Sequence, residues 1–163
     1  MADLSPDQVL QKLEAGESLQ EANLREIDLA FAVLEEADLS HAYLEGAQLQ
    51  GAILRGVNLR GAKLLRAELD EAGLLDADLG HANLRGAELT AADLRGAELT
   101  AADLRGANLE GADLRDVILE DALVSAEQLS QAASLAGAML PDGTKLRKRD
   151  WREAFERWME GQA

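Results

Sequence analysis

Residues 82–115 read ANLRGAELTAADLRGAELTAADLRGANLEGADLR, a pattern in which the same residue types return every five positions. Within this stretch, residues 85–94 and 95–104 are identical. Leucine stands at every fifth position from Leu24 to Leu119, and alanine lies two positions before nearly every leucine. Because the phase never slips, the sequence predicts one continuous repeat array.

A five-residue period fits neither a regular helix nor a flat strand. Five residues advance a helix by about 500°, so the leucines would spiral around it. In a strand, an odd spacing would put successive leucines on opposite faces. Both conflicts disappear if each unit is a short extended segment followed by a corner. Alanine and leucine then point inward, and corner glycines such as Gly46, Gly86 and Gly106 supply permissive backbone angles.

The units Ala22-Asn23-Leu24, Ala37-Asp38-Leu39 and Ala82-Asn83-Leu84 resemble the A(D/N)LXX motif of the pentapeptide-repeat family. The resemblance covers most of the chain. It implies an all-β solenoid, a right-handed quadrilateral β-helix with four repeats in each of about five coils. We therefore expect an N-terminal capping helix in residues 1–21, the β-helix in residues 22–124 and a C-terminal helical cap in residues 125–163.

The N-terminal segment carries the signals of a capping helix. Ser5 fits the N-cap position, Pro6 the first helical position and Gln8 the third, which is a capping-box arrangement. Val9, Leu10 and Leu13 would form one apolar face, and Gly16 would end the helix. We expect this helix to cover the first coil.

The repeat pattern ends after Val124, where a second set of helix signals begins. Ser125 and Gln128 form another capping box, before a short helix expected around residues 129–133. Residues 135–140 should be extended and one residue out of register with the array. A turn is expected at residues 141–143.

The last helix should begin at Asp150, with Glu153 at the capping-box position. Its apolar face contains Trp151, Phe155, Trp158 and Met159. These side chains would cover the final coil or pair with a second copy of the chain, which would make a homodimer.

Composition limits the function classes. The net charge of −15 argues against nucleic acid or an anionic membrane as a direct partner. The chain has no cysteine and no apolar run long enough for a transmembrane span. We expect a cytoplasmic protein, unless a targeting leader has been removed.

The charges are distributed unevenly when each repeat is assigned to one of four faces. The second face is the one built on Leu29 and on every twentieth residue after it. It has no Lys or Arg, whereas the first and third faces mix arginines with acids. Its six carboxylates belong to Asp28, Glu68, Asp70, Glu71, Glu88 and Glu110. This acidic second face is one candidate interaction surface.

A second candidate surface is an apolar patch on or beside the third face, formed by Phe31, Val33, Ile53 and Leu75. Outward apolar side chains that lie together often mark a contact site. The alternative is that the N-terminal segment or a loop covers Phe31 and Val33. The sequence leaves both interpretations open.

The sequence predicts no catalytic residues, no cofactor and no metal site. His41 and His81 fall at equivalent corners two coils apart, about 9.6 Å, which is too far for one shared metal ion. The carboxylates form ladders on a convex surface and not a pocket, and no phosphate-binding loop is present. An enzyme is therefore not expected.

Two functions remain compatible with this surface. The first is a rigid scaffold for protein–protein interaction, with a protein partner of unassigned identity. The second follows from the resemblance to the family's fluoroquinolone-resistance members, which implies mimicry of DNA toward DNA gyrase or topoisomerase IV. Arginines on the first and third faces weigh against mimicry because they interrupt the negative field.

Overall fold

Each repeat pairs with the repeat 20 residues further along the chain in the structure, a computed structural model that describes residues 2–162. Parallel bridges join Asn23 to Tyr43 and Tyr43 to Lys63, and the series continues to Leu123. Twenty residues contain four repeats, so each coil has four sides. The sequence-based assignment of residues to faces is therefore confirmed.

The rod interior is filled by the leucines and alanines of the repeats. Leu64 and Ala62 are fully buried, as are most of their equivalents in other coils. Burial of each leucine stabilises the fold by roughly 1.5–3 kcal/mol, which replaces a conventional aromatic core. The inward positions of the five-residue pattern are those predicted from the sequence.

The chain turns each corner at the second residue after the leucine, where the backbone is left-handed. Gly46 has φ 65°, but Phe31 and His41 adopt the same region with φ 60° and 58°. Side chains in this conformation are strained, whereas glycine is not. The predicted permissive corner is confirmed, and it extends to non-glycine residues.

Glycine is needed at several corners for space as well as for backbone angle. A Cβ atom at Gly61 would lie 2.5 Å from Nδ1 of His41, the corner residue of the preceding coil. At Gly51 it would lie 2.6 Å from the ring of Phe31. Large corner side chains thus fold across a glycine in the next coil.

Helix α1 (Pro6–Glu14) precedes the first coil and packs on its core. Ser5 and Gln8 make both halves of the predicted capping box. Val9 is fully buried, and Leu10 and Leu13 pack against the same cluster. Gly16 follows the helix with φ 72°, the conformation expected of a terminating glycine.

After the fifth coil the spacing changes from 20 to 21 residues. Asp113 pairs with Ser134, and Ile118 pairs with Met139. The extra residue follows helix α2 (Ala126–Ser130), which lies where the next second-face repeat would begin. The predicted shift of register is confirmed, but residues 135–140 are not extended throughout, because the chain turns a corner at Ala136 and Gly137.

The position predicted for this short helix is wrong. Helix α2 starts at Ala126, directly after its N-cap Ser125, and not at residue 129. The predicted capping box of Ser125 and Gln128 is present. The capping residue itself fixes the first turn, so the helix begins beside it. The predicted turn at residues 141–143 is present and closes a hairpin in which the Leu146 N–H donates to the Ala138 carbonyl.

Helix α3 (Trp151–Glu160) follows Asp150 as predicted, but the predicted capping box is absent. Asp150 has φ −130° and ψ 25°, which is not the extended conformation that directs a side chain onto the first-turn amides. A hydrogen bond holds the helix against the hairpin instead: Trp158 Nε1 donates to Asp142 Oδ2 at 2.8 Å.

Candidate interaction surface

The acidic second face forms three parallel columns on one side of the rod. Bridges run from Asp28 through Gln48 and Glu68 to Glu88, so three carboxylates share the central column. Asp70 and Glu110 occupy the column after the leucines, and Glu71 lies at the corner. The structure therefore brings the six predicted carboxylates onto one continuous surface.

These six carboxylates have no cationic partner. Within residues 2–162, no ion pair includes any of them. Two of them accept hydrogen bonds from neighbouring amides: Gln50 Nε2 donates to Glu68, and Asn108 Nδ2 donates to Glu88 Oε2 at 3.0 Å. The face thus keeps its full negative charge available to an approaching molecule.

Three aspartates on the first and third faces, Asp93, Asp103 and Asp113, are neutralised within their own repeat. In each Asp-Leu-Arg sequence the two charged side chains lie on the same side of the strand, two residues apart. Arg105 Nη2 lies 2.6 Å from Asp103 Oδ2, and Arg115 Nη2 lies 2.5 Å from Asp113 Oδ2. Hydrogen bonds from the arginines outweigh the effect of burial and lower the pKa of both aspartates.

This local pairing is a feature that sequence reasoning missed. A mixture of arginines and acids on the first and third faces does not by itself predict pairing, whereas the recurring Asp-Leu-Arg spacing carries the information. The same pairing occurs between Asp93 and Arg95, at 2.7 Å. The arginines consequently weaken the field of those two faces by forming closed ion pairs.

The fourth face is acidic but differs in detail. Arg60 lies 3.7 Å from Asp78, and Asp38 accepts hydrogen bonds from Ser18 and Ser40. The Ser40 hydroxyl is the main reason that the pKa of Asp38 is lowered. Three further carboxylates on this face, those of Glu98, Glu120 and Asp121, make no ion pair in the described chain.

The apolar patch is open along most of its length. Phe31, Val33 and Ile53 are 77%, 59% and 44% exposed, whereas Leu75 is half-buried. Val33 and Ile53 are bridge partners in adjacent coils. The alternative that the N-terminal segment covers Phe31 and Val33 is wrong, because α1 packs on the core and leaves both side chains exposed.

A family model for pentapeptide repeats matches residues 18–56, 52–90 and 82–121 with eight copies of the repeat. These matches span more than half of the sequence and coincide with the paired coils. The chain belongs to the pentapeptide-repeat family. Membership and the 20-residue pairing together give the fold as a right-handed β-helix. Among curated proteins, none matches the sequence.

Solved structures of other pentapeptide-repeat proteins are similar to this one. A protein from the Arabidopsis thaliana thylakoid lumen is 30% identical, with a TM-score of 0.61 over 81% of this chain and 88% of that one. Rfr23 from the cyanobacterium Cyanothece 51142 is 31% identical, with a TM-score of 0.61 over 66% and 87%. The plasmid-mediated fluoroquinolone resistance protein QnrB1 is 21% identical, with a TM-score of 0.30 over 83% and 73%, a likeness that carries no functional argument.

The C-terminal helix of this pentapeptide-repeat protein uses its apolar face within the chain. Phe155 is buried and stacks on Trp158 with ring centroids 5.6 Å apart. Trp151 and Met159 are half-buried, and they line a groove of about 280 Å³ beside Leu129. The homodimer through this helix stays a prediction.

No group of three or more metal-ligating side chains occurs in residues 2–162. His41 and His81 lie at fourth-face corners with Gly61 between them, as the sequence predicts. No helix in the described chain is long and apolar enough to cross a membrane.

Proposed function

We propose that this pentapeptide-repeat protein is a rigid, non-enzymatic scaffold for protein–protein interaction. Its rod has about five coils, closed by helices at both ends, and presents a fixed surface to a protein partner. The contact surface consists of the acidic second face and the apolar patch beside it. The observation that carries the proposal is that six unpaired carboxylates adjoin exposed apolar side chains.

Rigidity follows from how the backbone is used. Each coil donates to and accepts from its neighbours: the Leu44 N–H donates to the Lys63 carbonyl, and the Lys63 N–H donates to the Ala42 carbonyl. Side chains on such a framework keep their spacing when a partner binds, so little conformational entropy is lost. A flat charged face with this property suits recognition better than catalysis, which needs an enclosed site.

The scaffold is tested by affinity capture from the source cell with wild-type protein and patch variants. Ile53→Asp and Leu75→Asp should each abolish recovery of the partner. Ile53→Asp should leave the melting temperature unchanged, because the Ile53 side chain is exposed. Leu123→Asp is the matched control, since Leu123 is 49% exposed on the first face at the far end of the rod. Equal recovery with all four proteins would exclude the patch as the contact site.

Mimicry of DNA toward DNA gyrase or topoisomerase IV is the second candidate, favoured by the unpaired carboxylates of the second face. Their spacing along the rod follows the coil rise of about 4.8 Å. A supercoiling assay over a range of salt tests it: mimicry predicts inhibition at low salt that weakens as salt rises. Absence of inhibition at low salt would end this candidate.

A further inference from the structure

Phe31 is a residue that the fold does not require. It has φ 60°, a left-handed conformation that is strained for a residue with a side chain. Every other left-handed corner in residues 2–162 holds a glycine, an alanine or a polar side chain. Because the Phe31 ring is 77% exposed, burial within the chain does not offset this strain.

The ring of Phe31 extends the surface formed by Val33 and Ile53. It lies across Gly51, which is two residues before Ile53 in the next coil. Val33 and Ile53 are bridged neighbours, about 4.8 Å apart. The three side chains therefore form one exposed area over two coils, large enough for one or two apolar side chains of a partner.

Carboxylates lie on both sides of this area. Asp28 and Glu71 lie toward the second face, and Glu35 and Glu36 lie beyond Val33; all four are exposed. None of them belongs to an ion pair in the described chain. Two basic residues, Arg55 and Arg95, flank Leu75 in the column after the third-face leucines. Arg95 pairs with Asp93, so the surroundings of Phe31, Val33 and Ile53 stay negative.

We propose that this corner docks a cationic, amphipathic segment of a partner protein. An apolar side chain of the segment packs on Phe31, Val33 and Ile53, and flanking Lys or Arg side chains pair with the carboxylates. The inference rests on the proposed scaffold function and names the chemistry of its partner. Apolar contact supplies affinity, and the flanking charges supply orientation and a faster association rate.

A protein partner fits this chemistry better than a second copy or a lipid surface. The chain has a basic segment of its own, residues 145–149, but Leu146, its one apolar residue, is fully buried and cannot supply the apolar contact. Anionic lipid is repelled by the net charge of −15. A basic protein segment with exposed leucines satisfies both parts of the site.

The test measures binding of a short synthetic peptide in which two leucines are flanked by lysines. Its matched peptides replace the leucines with serine or the lysines with glutamate. Phe31→Gly should weaken binding about tenfold without loss of stability, because glycine suits the left-handed corner. Combined Asp28→Asn, Glu35→Gln and Glu36→Gln should also weaken it about tenfold at low salt, and less at high salt.

Control variants separate a specific site from general attraction between opposite charges. Leu123→Gly and combined Glu98→Gln, Glu120→Gln and Asp121→Asn should leave peptide binding unchanged. The inference would be overturned if these controls weaken binding equally. It would also be overturned if the serine peptide binds as well as the leucine peptide, or if no peptide binds. If sedimentation shows that the wild-type protein is a dimer and that Phe31→Gly is a monomer, the patch binds a second copy of the chain and the inference is overturned.

The same variants distinguish this inference from the proposed function. If Phe31→Gly still captures its partner in cells while Ile53→Asp does not, the scaffold stands and the basic-segment docking fails. If no variant affects capture, the patch fails in both roles.

Discussion

At the corners of the rod, the space beside the Cβ position limits which residues can occupy equivalent corners in adjacent coils. Gly61 lies under the ring of His41, and Gly51 lies under the ring of Phe31. A large side chain at one corner lies over the corner of the next coil, where glycine or alanine leaves room for it, although Glu21 and His41 show that two side chains can also follow each other. The columns consequently alternate large residues with glycine or alanine, as His41, Gly61, His81 and Ala101 illustrate.

Substitutions at corner glycines should distinguish two contributions to the free energy of unfolding, the strain of the left-handed backbone and the steric clash of the new Cβ atom. Gly106→Ala, where the nearest atom lies 3.9 Å from the new Cβ, should destabilise the fold by about 1 kcal/mol through its φ of 71° alone. Gly61→Ala should cost about 1 kcal/mol more because it displaces the His41 ring.

Urea unfolding of a double-mutant cycle checks this expectation. Combining Gly61→Ala with His41→Ala should remove the excess cost and leave the cost of the backbone angle. An excess that persists without the His41 ring would show that the steric account of the corner is mistaken.

Adjacent leucines test the inward and outward assignment directly. Leu64 is fully buried, whereas Leu65 is 38% exposed. Leu64→Ala should lower the free energy of unfolding by about 2–5 kcal/mol through loss of contacts and a cavity. Leu65→Ala should change it by no more than about 0.5 kcal/mol. Similar losses at both positions, measured by urea unfolding, would contradict the five-residue geometry.

The inward and outward positions of most residues could be predicted, because the five-residue period is compatible with one backbone geometry. Leucine at every fifth position fixes the inward set, and the same arithmetic places Asp28 and Glu68 on one face. The exposure of Phe31 could not be predicted, because it depends on the path of α1 over the first coil. The absence of a side-chain cap at Asp150 could not be predicted either, because the backbone angles of Asp150 depend on how the preceding hairpin ends.

At the scale of one element, the Asp-Leu-Arg repeat is a self-neutralising unit. Its aspartate and arginine lie on the same side of one strand, so pairing needs no contact from another coil. The arginine lowers the pKa of the aspartate, as at Asp113 beside Arg115. A carboxylate with a lower pKa in the folded chain stabilises it above the ordinary carboxylate pKa of about 4.

Removal of one such arginine should therefore have an effect that depends on pH. Arg115→Gln should reduce stability at pH 7, and the difference from wild type should vanish as pH falls through the lowered pKa of Asp113, where the carboxylate becomes protonated. Urea midpoints measured from neutral to acidic pH report this difference.

Arg55→Gln is the matched control, because Arg55 occupies the same column of the third face and has Ile53 two residues before it in place of an aspartate. Its difference from wild type should show no comparable change over the acidic range. If the difference in urea midpoint between Arg115→Gln and wild type grows as the pH falls, the assigned pairing of Asp113 with Arg115 is contradicted.

At the scale of the whole molecule, the regular repeat produces faces of different character. The identical units of residues 85–104 contribute closed ion pairs to the first and third faces. The second face receives carboxylates that form no ion pair within residues 2–162, and it borders the apolar patch near the N-terminal end. The repeat thus builds the framework, and the departures from it distinguish one side of the rod from the others.

The proposed scaffold function requires that the partner recognises the second face. Quantitative affinity capture tests this with two variants that each neutralise three carboxylates. One variant combines Asp28→Asn, Glu68→Gln and Glu71→Gln on the second face; the other combines Glu98→Gln, Glu120→Gln and Asp121→Asn on the fourth. The second-face variant should lose the partner, whereas the fourth-face variant should retain it. Equal recovery of the same partner by both variants and wild type would contradict recognition through the second face.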